Sequence, residues 1–292
     1  MKFSLTRLAL KVSVLVAGLG ASTPLLSDPY CPFNGFYAGV MGGALQSTTE
    51  FSRESSAQYE NFFHVPGLIS SGQKDVKVYR WGGAGALNLG YGEQVGKCMF
   101  IAGEIFVSAA TRDTSVSDYA YTEHNDQSLF DSFNTSLKAK TSASTQNVEL
   151  AIDLRPGFLV NSCTLLYGRV GVGFNKLRTK NRVDFEYNGR EASEFVGHSV
   201  QTLSTTKKSN KSALRLGLGC EWKLCPNLSL TSDYIYSYYG KAKTQRIADS
   251  TFANGEDDNF IADGFKTSSS AKMATQAFLV GIKYYFDNAC CR

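Results

Sequence analysis

Between Ala213 and Leu224 every second residue is large and mostly apolar. Leu214, Leu216, Leu218, Cys220, Trp222 and Leu224 take one side; Arg215, Gly217, Gly219, Glu221 and Lys223 take the other. A repeat of two marks a strand with one apolar face. The same alternation recurs in 277–286, where Phe278, Val280, Ile282, Tyr284 and Phe286 oppose Gly281 and Lys283. In 148–160, Val148, Leu150, Ile152, Leu154 and Phe158 oppose Glu149, Asp153, Arg155 and Gly157; in 166–174, Val170, Val172 and Phe174 oppose Arg169, Gly171 and Gly173. Four weaker segments complete the set at 35–45, 80–92, 99–107 and 228–239. There Glu104 opposes Ile101, Ile105 and Val107, and Asp233 opposes Leu230, Tyr234, Tyr236 and Tyr238.

Two architectures use such strands. A soluble sandwich turns the apolar face inward, whereas a membrane barrel turns it toward lipid and keeps small or polar residues inside. Three features favour the barrel. The segments have the length of a tilted membrane-crossing strand. Their polar faces mix Gly with charge, which suits a narrow lumen. Trp222, Phe174, Tyr91, Tyr238 and Phe286 lie near segment ends, where interfacial aromatics belong. The spacing of segments discriminates further. Short links at 92–97, 161–163 and 225–227 alternate with long ones at 46–79, 113–146, 178–208 and 240–275. Barrels of the outer membrane have short periplasmic turns and long external loops, and a sandwich predicts no such alternation.

The expected fold is therefore all-β: an eight-stranded antiparallel transmembrane β-barrel over 28–292, with both termini periplasmic and long loops extracellular. A hairpin signal at Asn188-Gly189, after the alternating stretch 183–187, is expected to extend strands five and six as a sheet above the membrane. The alternative is two further spanning strands, ten in all. Composition agrees with many strands and few helices: 27 Gly, 12% aromatic residues and 6 Pro. No apolar run approaches the roughly 20 residues of a membrane helix.

The N-terminus supplies the compartment. Lys2, Arg7 and Lys11 precede an uncharged run at 12–21 and small residues at 20–23, the order of parts in an export signal. Residues 1–27 are read as a signal peptide cleaved between about 20 and 27; a buried helix is the competing reading. Asp28, Pro29 and Tyr30 before Cys31 argue against lipidation. A formal net charge of +4, scattered and partly in the signal, argues against nucleic acid as a partner.

The stretch GFYAGVMGG at 35–43, soon after the signal, and the last strand ending Tyr284-Tyr285-Phe286 resemble small outer-membrane barrels of the OmpA/OmpX/Opa type. The resemblance implies that Phe278, Val280, Ile282, Tyr284 and Phe286 form the signal read by the outer-membrane insertion machinery. It implies outer-membrane lipid as surroundings and no cofactor. The sequence departs from that pattern in two places. Six residues follow Phe286, and Pro156 sits within a strand, where a bulge at the rim is expected.

Cysteines concentrate at one end of this topology. Cys31 precedes the first strand, Cys98, Cys163 and Cys225 lie at the three short turns, and Cys290 and Cys291 end the chain; Cys220 alone falls on the lipid face. Seven is an odd number in an oxidising compartment, which leaves a thiol for an intermolecular bond. A rim cross-linked to other envelope proteins resembles the disulfide-held envelopes of chlamydia-like bacteria. Local pairs, such as Cys290 with a turn cysteine, and free thiols are the alternatives.

The inward faces collect Glu104, Glu149, Asp153, Glu221 and Asp233 with Arg155, Arg169, Arg215, Lys223 and Lys283. Buried charges are tolerable only when paired, and eight strands leave room for side chains and little else. A closing salt-bridge network is the expected reading, and a narrow porin-like path for ions or small solutes the alternative. Catalysis is disfavoured because His64, His124 and His198 all fall in long links without a nucleophile motif. No C-x-x-C pair points to a metal. The acidic, aromatic link at 113–146 suits adhesion to a host surface ligand, and equally an ordinary solvated loop.

Overall fold

The computed structural model describes residues 33–60, 66–96, 98–110, 113–126, 131–145, 148–191, 194–248 and 265–286. The signal segment, His64, Cys31, Cys290 and Cys291 lie outside the described residues. Among the described residues there are ten strands: β1 (Gly35–Glu60), β2 (Pro66–Val95), β3 (Met99–Ala110), β4 (Asp113–Asp126), β5 (Asp131–Thr145), β6 (Val148–Asn161), β7 (Thr164–Glu191), β8 (Glu194–Cys225), β9 (Leu228–Ala248) and β10 (Phe265–Tyr285). Eight of them close a ring in the order β1-β2-β3-β6-β7-β8-β9-β10, every pair antiparallel, with β10 returning to β1. Each segment that alternates in the sequence lies within one ring strand, and β10 pairs β1 from Tyr37↔Tyr285 upward.

The apolar faces point out. Leu87, Leu89, Ile105, Leu150, Ile152, Leu154, Val170, Leu216, Leu218, Val280 and Ile282 are each about half exposed. This belt would be ruinous in water but is the natural surface against lipid tails. From Leu166 to Phe174, β7 advances about 26 Å at roughly 3.3 Å per residue, comparable with the apolar band of such barrels. Exposed Phe36, Tyr91, Phe158, Tyr284 and Phe286 mark its turn end; Tyr79, Trp81, Phe174 and Tyr238 mark the other.

Over their described residues the long links are strands rather than loops. They are largely the strands themselves, carried past the belt. β1 and β2 stay paired to Glu60↔Pro66, and β7 and β8 to Glu191↔Glu194. β4 and β5 form a hairpin from Asp113↔Ser144 to Asp126↔Asp131, and β5 runs along the extended half of β7 from Leu177 to Arg190. The link 178–208 adds no spanning strand; it extends two ring strands outward. Its two strands stay paired past Asn188-Gly189 to Glu191↔Glu194, and that dipeptide instead flanks a register shift between Gly189 and Arg190. A local turn preference has lost there to the continuing ladders on both sides of β7.

Above the belt the ring divides. Pairing of β8 with β9 ends at Leu214↔Tyr238, although both strands continue with other partners. Among the described residues β2 pairs β3 no further than Ala84↔Ala110 and forms no ladder with β4. The extended end is thus two four-stranded sheets, β4-β5-β7-β8 and β2-β1-β10-β9, facing one another. Side chains between them include Phe51, Ala143 and Ala271 in one cluster and Leu177, Ala213, Tyr239, Ala242 and Met273 in another.

Pro156 is not at a rim bulge. β6 pairs β7 at Leu154↔Val170 and again at Gly157↔Tyr167, with the register unchanged and two residues unpaired between; the shift comes later, between Leu159 and Asn161. Proline has no N–H to give the ladder, so the ring tolerates a local gap, while Ile101↔Pro156 is kept on the β3 side.

Candidate functional site: the charged interior

Inward-facing side chains fill the ring in layers. At the turn end Phe33, Tyr37, Phe100, Leu165, Tyr167 and Tyr285 pack together, all nearly or fully buried. The rings of Phe33 and Phe100 meet edge to face at 6.4 Å, and those of Phe33 and Tyr285 at 6.2 Å. Next comes the charge. Glu104, Glu149, Asp153, Arg155, Arg169, Arg215, Glu221, Lys223, Asp233 and Lys283 are each at most 5% exposed.

Acids and bases alternate along the axis. Arg215 Nη1 lies 2.6 Å from Glu149 Oε1 and its Nε 3.1 Å from Asp153 Oδ1. Arg169 is the hub: Nη1 donates to Asp153 Oδ2 at 2.6 Å and Glu104 Oε1 at 2.7 Å, and Nη2 to Asp233 Oδ2 at 2.9 Å. Arg155 bridges Glu104 at 3.2 Å and Glu221 at 3.0 Å. Lys283 Nζ lies 3.1 Å from Glu221 and 3.6 Å from Glu104. Lys223 lies toward the turn end: its ammonium donates to the Pro226 carbonyl at 2.8 Å and sits 3.8 Å from the centre of the Tyr285 ring.

Neutral partners complete the set. Tyr37 OH and Asn88 Nδ2 each donate to Glu104 at 3.0 Å. Tyr167 OH donates to Asp233 at 2.6 Å, Tyr285 OH to Glu221 at 2.5 Å and Ser229 Oγ to Glu221 at 2.6 Å. Tyr239 donates to Glu149. Phe106 lies between two guanidinium groups, 5.0 Å from Arg169 and 4.7 Å from Arg215, a cation–π contact on each. Tyr37, Asn88, Tyr167, Tyr239 and Tyr285 were not singled out by reading charge alone. Their signal is parity: Tyr285 is two residues from Lys283, and Tyr167 two from Arg169.

Glycine makes the room. A Cβ on Gly171 would overlap the Asp153 carboxylate and the Ile152 carbonyl; one on Gly219 would overlap the Tyr167 ring and Asp233. The mixing of Gly with charge on the same faces is therefore steric: Asp153, Glu149, Arg215, Asp233 and Lys283 each sit against a strand position with no side chain.

At the turn end Cys98 is exposed in the first turn, Cys163 partly exposed in the second and Cys225 exposed at the third; all three carry free thiols, as does Cys220 on the outer face. Phe278, Val280, Ile282, Tyr284 and Phe286 all take the outer face of β10 and its end, and the Phe286 N–H donates to the Phe36 carbonyl at 2.9 Å. On the extended end, outside the belt, partial burial raises the Asp184 carboxyl. Hydrogen bonds from Thr202 and Arg182 outweigh it and hold that group below the usual carboxylate range.

A closed antiparallel ring with an outward apolar belt, aromatic edges and a packed polar interior defines an integral outer-membrane β-barrel of the small, eight-stranded kind. No protein-family model matches the sequence, and a search of curated proteins finds no match. Among solved structures, the chain is similar to the attachment invasion locus protein Ail of Yersinia pestis, with 13% identity over 83% of this chain and 99% of that chain and a TM-score of 0.27. It is also similar to Neisserial surface protein A (10% identity, 84% and 99% covered, TM-score 0.28) and to OprG of Pseudomonas aeruginosa (13%, 87% and 97%, TM-score 0.32). The ring, the belt and the filled interior carry the classification; overlaps of this size do not.

Proposed function

We propose that the protein is a closed structural barrel of the outer membrane that displays its two extended sheets to the outside. One observation carries this: a continuous run of buried ion pairs from Glu149 to Glu221, capped at the turn end by Phe33, Phe100 and Tyr285. Moving an ion through it means breaking pairs held in low dielectric, where desolvated charges are costly. The long paired extensions give a rigid surface well clear of the membrane, which supports a role in contact with a host ligand. In this reading residues 1–27 are removed on export, both termini and the three short turns face the periplasm, and 278–286 guide insertion.

The free thiols of Cys98, Cys163 and Cys225 at that turn end support disulfide links to other envelope proteins. Conductance of the refolded chain in a planar bilayer, with and without reductant, tests the closed barrel. Inserted but silent protein is expected. Stable single-channel steps sink it and favour a porin-like path. Thiol labelling of native envelopes, compared before and after reduction on a non-reducing gel, tests the links; a purely monomeric species excludes them.

A further inference from the structure

Just beyond the belt, the parting of β8 from β9 leaves a slot in the barrel wall. The cause is local. Gly240 takes φ +71°, in the left-handed region that glycine favours, and the β9–β10 register shifts between Lys272 and Ala274. β9 then follows β10 and abandons β8. The slot is a hollow of about 320 Å³ lined by Thr179, Lys207, Ser209, Lys211, Ala242 and the pair Lys241 and Lys243.

Among the described residues, four lysines and no acid line this hollow. Two are pinned across the gap, Lys211 Nζ to the Lys241 carbonyl at 3.0 Å and Lys207 Nζ to the Lys243 carbonyl at 3.2 Å. These side chains stand in for the ladder bonds that β8 and β9 no longer make. An ammonium has three N–H donors, so each pinned lysine keeps two for a ligand. Two acids of the extended end have cations of their own: Asp184 pairs with Arg182 at 2.9 Å and Glu50 with Lys272 at 3.5 Å. Beside the slot, Asn175 pairs with Lys211 in the ladder, and its buried carboxamide has no partner on either atom.

We infer that the β8–β9 slot is a binding site for a phosphate group. Like charges crowded into one hollow repel until a counter-charge enters. A phosphomonoester is close to a dianion at neutral pH and offers three acceptor oxygens, matching the two pinned ammonium groups of β8. A carboxylate would leave most of the charge uncompensated. The slot's depth suits either a headgroup or a soluble phosphate. Lys211 and Lys241 each lie three residues beyond the last outward apolar residues, Leu214 and Tyr238, about 10 Å along the strand.

The test uses the full refolded chain. Acetylation of individual lysines is followed by mass spectrometry under three conditions: zwitterionic detergent with inorganic phosphate, phosphatidylcholine vesicles, and phosphatidylcholine vesicles containing phosphatidic acid. Saturable protection of Lys207, Lys211, Lys241 and Lys243 by inorganic phosphate supports a site for soluble phosphate. Protection only with phosphatidic acid supports a headgroup site. K207Q/K211Q is expected to weaken either by about tenfold or more, the loss of a charge-assisted hydrogen bond. The pair K138Q/K140Q on β5, with the same change in charge, is expected to bind as the parent does. Gel heat-modifiability confirms that each variant is folded. Absence of protection in every condition overturns the site, as does equal weakening by the β5 pair.

Discussion

Arg155 shows how little freedom a buried ion leaves. Its guanidinium touches Glu104 and Glu221 and sits 3.7 Å from the centre of the Tyr167 ring, fully enclosed. R155M would take one cation from each of two carboxylates, leaving Glu104 to Arg169 and Lys283 and Glu221 to Lys283, and breaking a buried network from one side costs about 3–5 kcal/mol. A fall of that size in unfolding free energy, from urea titration in detergent, is the expected result. Adding E221Q to R155M should recover part of it, because the excess negative charge left by the lost guanidinium is then removed. The inward glycines are as demanding. G171V is expected to give no compact, heat-modifiable band on a gel, since its side chain would overlap the Asp153 carboxylate. G83V should fold like the parent, because a Cβ there meets nothing within 4 Å.

Strand β6 carries both faces of the design in one run, Glu149, Asp153 and Arg155 inward, Leu150, Ile152 and Leu154 outward. I152R places a charge in the belt, and near the midplane that costs about 2–4 kcal/mol. Unfolding from phosphatidylcholine vesicles should show this loss, whereas a sandwich with this face in water would be little affected. Strand β10 makes a separate prediction. F286A removes an exposed ring that packs on Tyr284 at 5.3 Å but fills no part of the interior. Refolding into detergent is expected to proceed as in the parent, while assembly in cells falls. Equal yields in cells would dismiss the insertion role of that residue.

For the whole molecule the network is a device for closure. Its members come from all eight ring strands, from Tyr37 on β1 to Lys283 on β10. Partners lie far apart in the chain, as with Arg155 and Tyr37 at a separation of 118 residues. Pairs that reach β1 or β10, such as Arg155 with Tyr37 and Lys283 with Glu104, are complete only when the first and last strands join the ring, so full satisfaction of the interior arrives with closure. Intermediates with an open edge would carry desolvated or hydrated ions in place of a packed interior, a strong penalty on stopping early. The same network explains why conductance is expected to be silent in both redox states: the turn cysteines lie outside it. Loss of one lumen ion, as in R155M, should be the change that first admits current, measured as rare brief steps in the bilayer.

Counting by two along the chain is enough to separate an outward Leu150 from an inward Glu149, because side-chain direction in a strand is a local property of the backbone. The alternation of short and long links likewise marks eight crossings. Three matters lie beyond that reading. Which acid meets which base depends on the shear of the closed ring, which sets strand heights and is written in no single segment. The long links read as loops because polar, Ser- and Thr-rich runs lack a belt to face; paired with neighbouring strands, their described backbones continue as strands all the same. The Asn188-Gly189 turn signal and the slot at Gly240 depend on which neighbour holds the strand longer, β7 with β5 and β8, β9 with β10. Those are contests between ladders, and they are decided only when the ladders are side by side.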